Sequence, residues 1–211
     1  MAAEWLELHP VNPQQRWLQR AVERVRAGGV IVYPTDSCYA LGCQLGDKDA
    51  AERIRDIRQF DRNHMFTLVC RDLSEIATYA RVDNWQYRLL KNLTPGPYTF
   101  ILEGTRELPR RLVHEKRKTI GIRVPEHRVA QALLELLDGP LMSCTLQFPG
   151  EDQPVNDPDD DRAELERQVD LVLDGGSCGL QPTTVIDLTG DTPLLVRQGR
   201  GDVSSLGLET D

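Results

Sequence analysis

Residues 28–43 read GGVIVYPTDSCYALGC, and this stretch decides the fold class. Val30 to Tyr33 is a short β-branched and aromatic run, the composition of a strand. Pro34 breaks it, because proline cannot donate to a sheet ladder. Gly28-Gly29 ends whatever precedes the strand, and there Trp17, Leu18, Ala21, Val22 and Val25 recur at helical spacing behind Asn12-Pro13, a helix-start signal. After Pro34 comes a polar cluster, Thr35-Asp36-Ser37, then a loop containing Gly42. A second helix follows over about Lys48 to Gln59, with Ala51, Ile54 and Ile57 on one face. Helix, glycine stop, buried strand, polar loop and helix make one unit of an α/β protein.

Working outward, Thr67 to Cys70 predicts a strand, and helices are expected near Leu73 to Ala80 and Trp85 to Leu93, ended by Thr94-Pro95-Gly96-Pro97. Tyr98 to Leu102 and Thr119 to Val124 predict strands. Val129 to Leu137 is an amphipathic helix stopped by Asp138-Gly139-Pro140, and Leu141 to Leu146 is another strand. The Pro- and Asp-rich run EDQPVNDPDDD predicts a surface loop entering a helix at Asp157 to Asp161. Leu171 to Leu173, Thr184 to Leu188 and Leu194 to Arg197 complete the strands. The irregular alternation and β-rich end predict one α/β domain on a mixed, twisted sheet.

Composition narrows the class. The 211 residues are 40% hydrophobic and 27% charged, with a formal net charge of −8. That balance excludes wholesale disorder, collagen and coiled coil, and it supplies a core that needs no disulfide or metal staple. No apolar run approaches the roughly 20 residues that span a bilayer. The opening MAAEWLELHP has neither a basic nor an apolar signal region, so no signal peptide and no membrane partner are expected. Five cysteines (Cys38, Cys43, Cys70, Cys144 and Cys178) without a C-x-x-C pair suit reduced thiols and a cytoplasmic location. Cys38 and Cys43 could be half of a metal site, but no second pair of ligands stands at a matching spacing, so no structural metal is expected.

The charge is unevenly placed. Between Arg106 and Arg128 eight Lys/Arg face three acids, whereas Glu151 to Asp170 holds nine acids and only Arg162 and Arg167. A basic stretch in an acidic protein suggests local phosphate contacts rather than general polyanion binding; a solvated face is the alternative. Hydroxyls also gather at strand ends: Thr35-Asp36-Ser37, Ser143-Cys144-Thr145 and Thr183-Thr184. Beside similar strand ends stand Arg58, Arg123 and Arg197, whose guanidinium groups suit carboxylate or phosphate. Any single hydroxyl cluster is more often a turn or cap than a ligand contact. With no G-x-x-x-x-G-K-[ST], G-x-G-x-x-G or G-x-S-x-G, the residues alone stop at an anion-binding α/β domain.

The motifs GGVIVYPTDSCYALGC, TPGPYTFIL, KTIGIRVP, PTTVIDLT and VRQGRGDV, in this order, resemble the YrdC-like family, and within it the YciO branch. The resemblance runs over residues 12–202, leaving 203–211 as a C-terminal tail without the extra domain of the longer synthases. It implies a twisted α/β domain with a positively charged concave surface. It also implies the activity of threonylcarbamoyl-AMP synthases, which join L-threonine, bicarbonate and ATP, with Mg²⁺, and release pyrophosphate; the product feeds the t6A modification of tRNA. The fold has been linked to double-stranded RNA as well, so a nucleotide- or RNA-binding module is the second implied reading.

By the same resemblance Thr35, Arg123, Ser143 and Thr183 are implied contacts for L-threonine, with Arg123 clamping its carboxylate. Arg58, Thr119, Thr145 and Arg197 are implied contacts for the nucleotide. Lys116, Arg117 and Lys118 are candidate phosphate or RNA contacts, and no residue is implied as a general base. Two departures stand out. Where the synthases carry K-x-R, this chain reads Arg58-Gln59-Phe60, and the asparagine of their S-x-N is Gln147 in Thr145-Leu146-Gln147. Attack on the α-phosphorus gathers negative charge on the leaving pyrophosphate, and a lost preorganised cation costs about 10²–10³-fold in rate. Phe60 therefore predicts weak or altered synthesis unless Lys116, Arg117 or Lys118 compensates. A ligand role for Arg123 predicts that Arg123→Ala abolishes amino-acid binding and leaves the fold intact.

Overall fold

The computed structural model describes residues 2–60, 65–109, 118–206 and 208. Its spine is a ten-stranded mixed sheet. In chain order the elements are β1 (Glu4–Glu7), α1 (Gln15–Arg26), β2 (Ile31–Tyr33), β3 (Ala40–Gln44), α2 (Lys48–Arg58), β4 (Thr67–Val69), α3 (Leu73–Tyr79), α4 (Asn84–Leu93), β5 (Tyr98–Glu103), β6 (Thr119–Arg123), α5 (Arg128–Leu137), β7 (Leu141–Thr145), α6 (Arg162–Gln168), β8 (Leu171–Asp174), β9 (Thr184–Asp187) and β10 (Leu194–Arg197). The strands lie in the order β1-β8-β2-β3-β7-β4-β6-β5-β9-β10. Of the nine junctions, β1·β8, β8·β2, β4·β6 and β5·β9 are parallel, and the rest are antiparallel.

Both faces bury apolar residues. On one face α1 and α5 pack Leu18, Val22, Val25, Leu133 and Leu134 against Ile31, Tyr33, Leu141, Leu171 and Leu173. On the other, Ile54, Ile57, Ile76 and Leu90 of α2, α3 and α4 meet Val32, Leu41, Leu68, Phe100, Ile122 and Met142. Alternate residues of a strand point to opposite faces. On the α1/α5 face the cover runs from β1 through β3 to Leu141 of β7 and Val69 of β4, and the remaining positions from β7 to β10 line the cavity described below.

The expected mixed α/β sheet is present, with three local corrections. Glu4–Glu7 forms a strand ahead of the span read from the resemblance, paired in parallel with Leu171–Asp174. Ala40–Gln44, read as a loop because of Gly42, is a strand between β2 and β7. There the glycine makes room, since a Cβ at Gly42 would lie 2.9 Å from the Tyr33 ring. Finally, α1 begins at Gln15 with Gln14 as its cap, not at Asn12-Pro13. The N–H groups of Val11 and Asn12 turn instead to the His9 ring, at 3.2 and 3.1 Å.

Candidate functional site

Thr67 on β4, Thr99 on β5, Thr119 and Arg123 on β6, Ser143 and Thr145 on β7, and Arg197 on β10 all face one cavity of about 450 Å³. The register explains the gathering: Ser143 pairs with Thr67 and Thr67 with Gly121, while Val69 pairs with Arg123, and Val185 with both Thr99 and Arg197. Gly121 stands mid-row with no side chain and opens the floor. The loop residues Ser37, Cys38, Phe60 and Thr183, together with Arg58 at the end of α2, complete the wall.

Arg123 is buried, and its partners come from the loop after β2. Nη2 pairs with Asp36, Nη1 donates to the Ser37 hydroxyl at 3.2 Å, and the buried Nε has no partner. The other Asp36 oxygen accepts the Glu126 N–H at 2.9 Å, tying the β2–β3 loop to the start of α5. Thr35 sets this turn. Its hydroxyl donates to the Cys38 carbonyl at 2.6 Å and accepts the N–H groups of Ser37 and Cys38. Thr35 does not border the main cavity; with Asp36, Glu126, His127 and Arg200 it borders a neighbouring hollow of about 570 Å³. Burial lowers the His127 pKa against the opposing pull of Asp36.

Ser143 donates to the Leu41 carbonyl at 2.8 Å, so its 2.7 Å contact with Tyr33 places the tyrosine as donor. Burial pushes the Tyr33 phenol up to about 12, keeping it protonated for that bond. The hydroxyls of Thr183 and Thr99 lie 2.8 Å apart, and Arg197 donates to the Thr183 carbonyl at 2.9 Å. Thr184 holds the closing turn: its hydroxyl donates to the Gly201 carbonyl at 2.7 Å and accepts the Gly199 N–H at 3.0 Å. A Cβ at Gly201 would meet the Tyr98 ring at 2.3 Å, and one at Gly199 the Pro182 carbonyl at 2.3 Å, which accounts for the two glycines of QGRG.

The Arg58 guanidinium lies 4.6 Å from the Phe60 ring centroid, and Cys144 lines the same wall, while the buried Nε of Arg58 is unpartnered. Burial lowers the Arg58 pKa and pushes the Cys144 thiol up to about 12, so Cys144 is a neutral thiol near pH 7. Gln147 lines the same wall with its amide donating to the Glu151 carbonyl at 2.7 Å.

The structure thus brings Arg58, Thr119, Arg123, Ser143, Thr145, Thr183 and Arg197 around one cavity and sets Thr35 behind it. Lys116 and Arg117 lie outside the described residues. Lys118 is exposed, with φ 55°, and is not part of the cavity wall. Sequence reasoning placed Ser37 and Asp36 in a strand-end cluster without pairing either with Arg123, and it did not single out Thr67 or Thr99. Period-two alternation within β4 and β5 marks the two threonines, but pairing Asp36 with Arg123 needs the tertiary fold. Among the described residues no three His, Cys, Asp or Glu gather as a metal site, and no helix is long and apolar enough to cross a membrane. None of the five cysteines forms a disulfide.

Fold and site together define an α/β protein with an arginine- and hydroxyl-lined cavity on the open face of a mixed sheet. Residues 23–199 match the model of the Sua5/YciO/YrdC family, described as "Telomere recombination". The chain belongs to this family. It is 60% identical over 201 residues to the uncharacterized protein YciO of Escherichia coli (strain K12), covering 95% of this chain and 98% of that one. The E. coli YciO crystal structure superposes with a TM-score of 0.92, at 59% identity, over 96% of this chain and 98% of the other. The human threonylcarbamoyl-AMP synthase is 30% identical over 162 residues, 77% of this chain and 57% of the human one. P. abyssi Sua5, crystallised with L-threonine, has the same fold at TM-score 0.87 and 23% identity, over 96% of this chain and 59% of that one.

Proposed function

We propose that this protein is a threonylcarbamoyl-AMP synthase-like nucleotidyltransferase, with L-threonine, bicarbonate and ATP as substrates and a rate limited by Phe60. The observation that carries the reading is Arg123, a buried guanidinium on the cavity wall fixed by Asp36 and Ser37. A guanidinium held in place recognises an anionic oxygen at little further ordering cost. The acceptor of matching chemistry is a carboxylate, with the hydroxyls of Ser143, Thr183 and Thr99 beside it for the polar remainder of an amino acid. The P. abyssi Sua5 complex with L-threonine and the threonylcarbamoyl-AMP synthase among the relatives support that choice.

The chemistry asks mostly for positioning and charge. The threonine amine condenses with bicarbonate, losing water, and gives a carbamate. A carbamate oxygen then attacks the α-phosphorus of ATP; the new P–O bond forms as the α–β phosphoanhydride breaks and pyrophosphate leaves. Arg58 and Arg197, on the same cavity, would offset phosphate charge, with Thr119 and Thr145 as hydroxyl contacts. Among the described residues no group of His, Cys, Asp or Glu forms a cage for Mg²⁺, so a magnesium ion would ride on the phosphate oxygens, as is usual for that ion. Phe60, on which Arg58 stacks, adds no charge of its own.

The test is pyrophosphate release from ATP and Mg²⁺ with and without L-threonine and bicarbonate. Release that requires both co-substrates is the expected result, about 10²–10³-fold slower than from a synthase with the intact K-x-R. Release without them would replace this reading with ATP hydrolysis. No release would leave the second reading, a nucleotide- or double-stranded-RNA-binding module, which the Arg58–Phe60 stack favours and a salt-titrated RNA-binding assay checks.

A further inference from the structure

The cavity wall holds three arginines, Arg58, Arg123 and Arg197, and among the described residues no carboxylate. One carboxylate nevertheless governs it from behind. Asp36 belongs to the neighbouring hollow, yet its side chain and that of Arg123 are each only 9% exposed and form an ion pair. The pair is anchored on both sides: Asp36 accepts from the Glu126 backbone, and Arg123 donates to Ser37. Arg123 therefore lines the cavity with a guanidinium held in place by Asp36 and Ser37, in a unit whose net charge is zero. The cavity's uncompensated positive charge resides on Arg58 and Arg197.

We infer that Asp36 is a specificity-determining residue: it makes the Arg123 end of the cavity accept a ligand of zero net charge, an α-amino acid zwitterion, and reject one that brings a second negative charge there. The physical reason is Coulombic. A carboxylate against Arg123 meets a guanidinium whose field Asp36 has cancelled. A second anionic group at that end meets Asp36 itself, a few ångströms away and shielded from water, where like charges repel strongly. Without Asp36 the same arginine would be a full cation in a buried site and would favour dianions. This inference rests on the reading of the cavity as an amino-acid site and deepens it to the charge class of the amino acid.

The experiment is calorimetric titration, at one ionic strength, of the wild type, Asp36→Asn and Asp36→Glu with L-threonine, L-asparagine and L-aspartate. Asparagine and aspartate have nearly the same shape and differ by one negative charge, so their affinity ratio reads charge selection directly. Expected is a wild-type preference for threonine and asparagine over aspartate on the order of tenfold or more, since one unscreened buried charge contact is worth at least that. The gap should close in Asp36→Asn and persist in Asp36→Glu. A merely structural role for Asp36 would change all three affinities together and leave the ratio unmoved. An unmoved ratio in an Asp36→Asn protein whose far-UV circular dichroism is native overturns the inference. So does a wild type that binds aspartate as tightly as asparagine, a reading that holds even if the Asn variant does not fold. Amino acids bound with the ratio unmoved sink this inference alone. No amino acid bound by any of the three proteins sinks it together with the reading beneath it.

Discussion

Arg123 is the ion-pair partner of Asp36 and, in the proposed function, the contact for a ligand carboxylate, and the two bear differently on its substitutions. The family resemblance implied the ligand role, with Arg123→Ala expected to spare the fold. The structure pairs it with Asp36 at 9% exposure on each side, so removing the guanidinium leaves a buried carboxylate uncompensated. Breaking such a pair from one side costs about 3–5 kcal/mol. Arg123→Ala is therefore expected to lose amino-acid binding and also to lower the urea midpoint of unfolding. Adding Asp36→Asn should return part of that stability without returning binding; a double variant no more stable than Arg123→Ala would refute the pairing. At His127 the argument runs through pH. Its folded pKa is depressed by burial, so the unfolded chain takes up a proton first as pH falls below about 6.5. Stability should decline from there until the folded pKa is reached, and then level off. In His127→Gln that part of the decline should vanish from thermal midpoints measured between pH 7.5 and 5.

Among the elements, the helices were readable because their apolar positions repeat regularly: Leu18, Ala21, Val22 and Val25 are all buried on α1, and Val129, Leu133 and Leu137 on α5. Central strands were readable for the same kind of reason, as short apolar runs bounded by Gly and Pro. The two strands that escaped lack that signal. Glu4-Trp5-Leu6-Glu7 has two acids in four residues, and its partner lies at Leu171–Asp174, so only tertiary pairing identifies it. Ala40–Gln44 carries Gly42 where a side chain would strike Tyr33. The site divided similarly. Strand-end hydroxyls and arginines were visible in the motifs, whereas the Asp36–Arg123 pair joins residues far apart in sequence. Gly42→Ala tests the packing: Tyr33 is fully buried and hydrogen-bonded to Ser143, so it cannot move aside freely. Overpacking of this kind costs about 1–3 kcal/mol, to be read as a lower urea midpoint. An unchanged midpoint would mean that the ring swings away at no cost.

Across the whole molecule, protection is graded from the middle of the sheet outward. β3, β7, β4 and β6 have neighbours on both sides and buried residues on each face. β10 pairs with β9 alone and leaves Leu194 and Val196 60% and 54% exposed. Amide hydrogen exchange should accordingly be slowest in Leu41–Cys43, Leu68 and Ile120–Ile122 and fastest at Leu194–Val196 among the strands. Equal protection at β10 and β4 would contradict the observed order of strands.

The placement of β8 between β1 and β2 bears on how the chain is made. A ribosome delivers Glu4–Glu7 and Ile31–Tyr33 first, but the strand that must lie between them, Leu171–Asp174, is synthesised only after most of the protein has emerged. The same holds for the pocket, whose Thr183 and Arg197 come later still. Until then the first strand has no partner for its backbone, and a nascent chain halted before residue 171 holds neither a closed sheet nor a complete ligand site. For most of its translation the chain is met with its first strand unpaired, and its cavity wall is complete only once Arg197 has emerged.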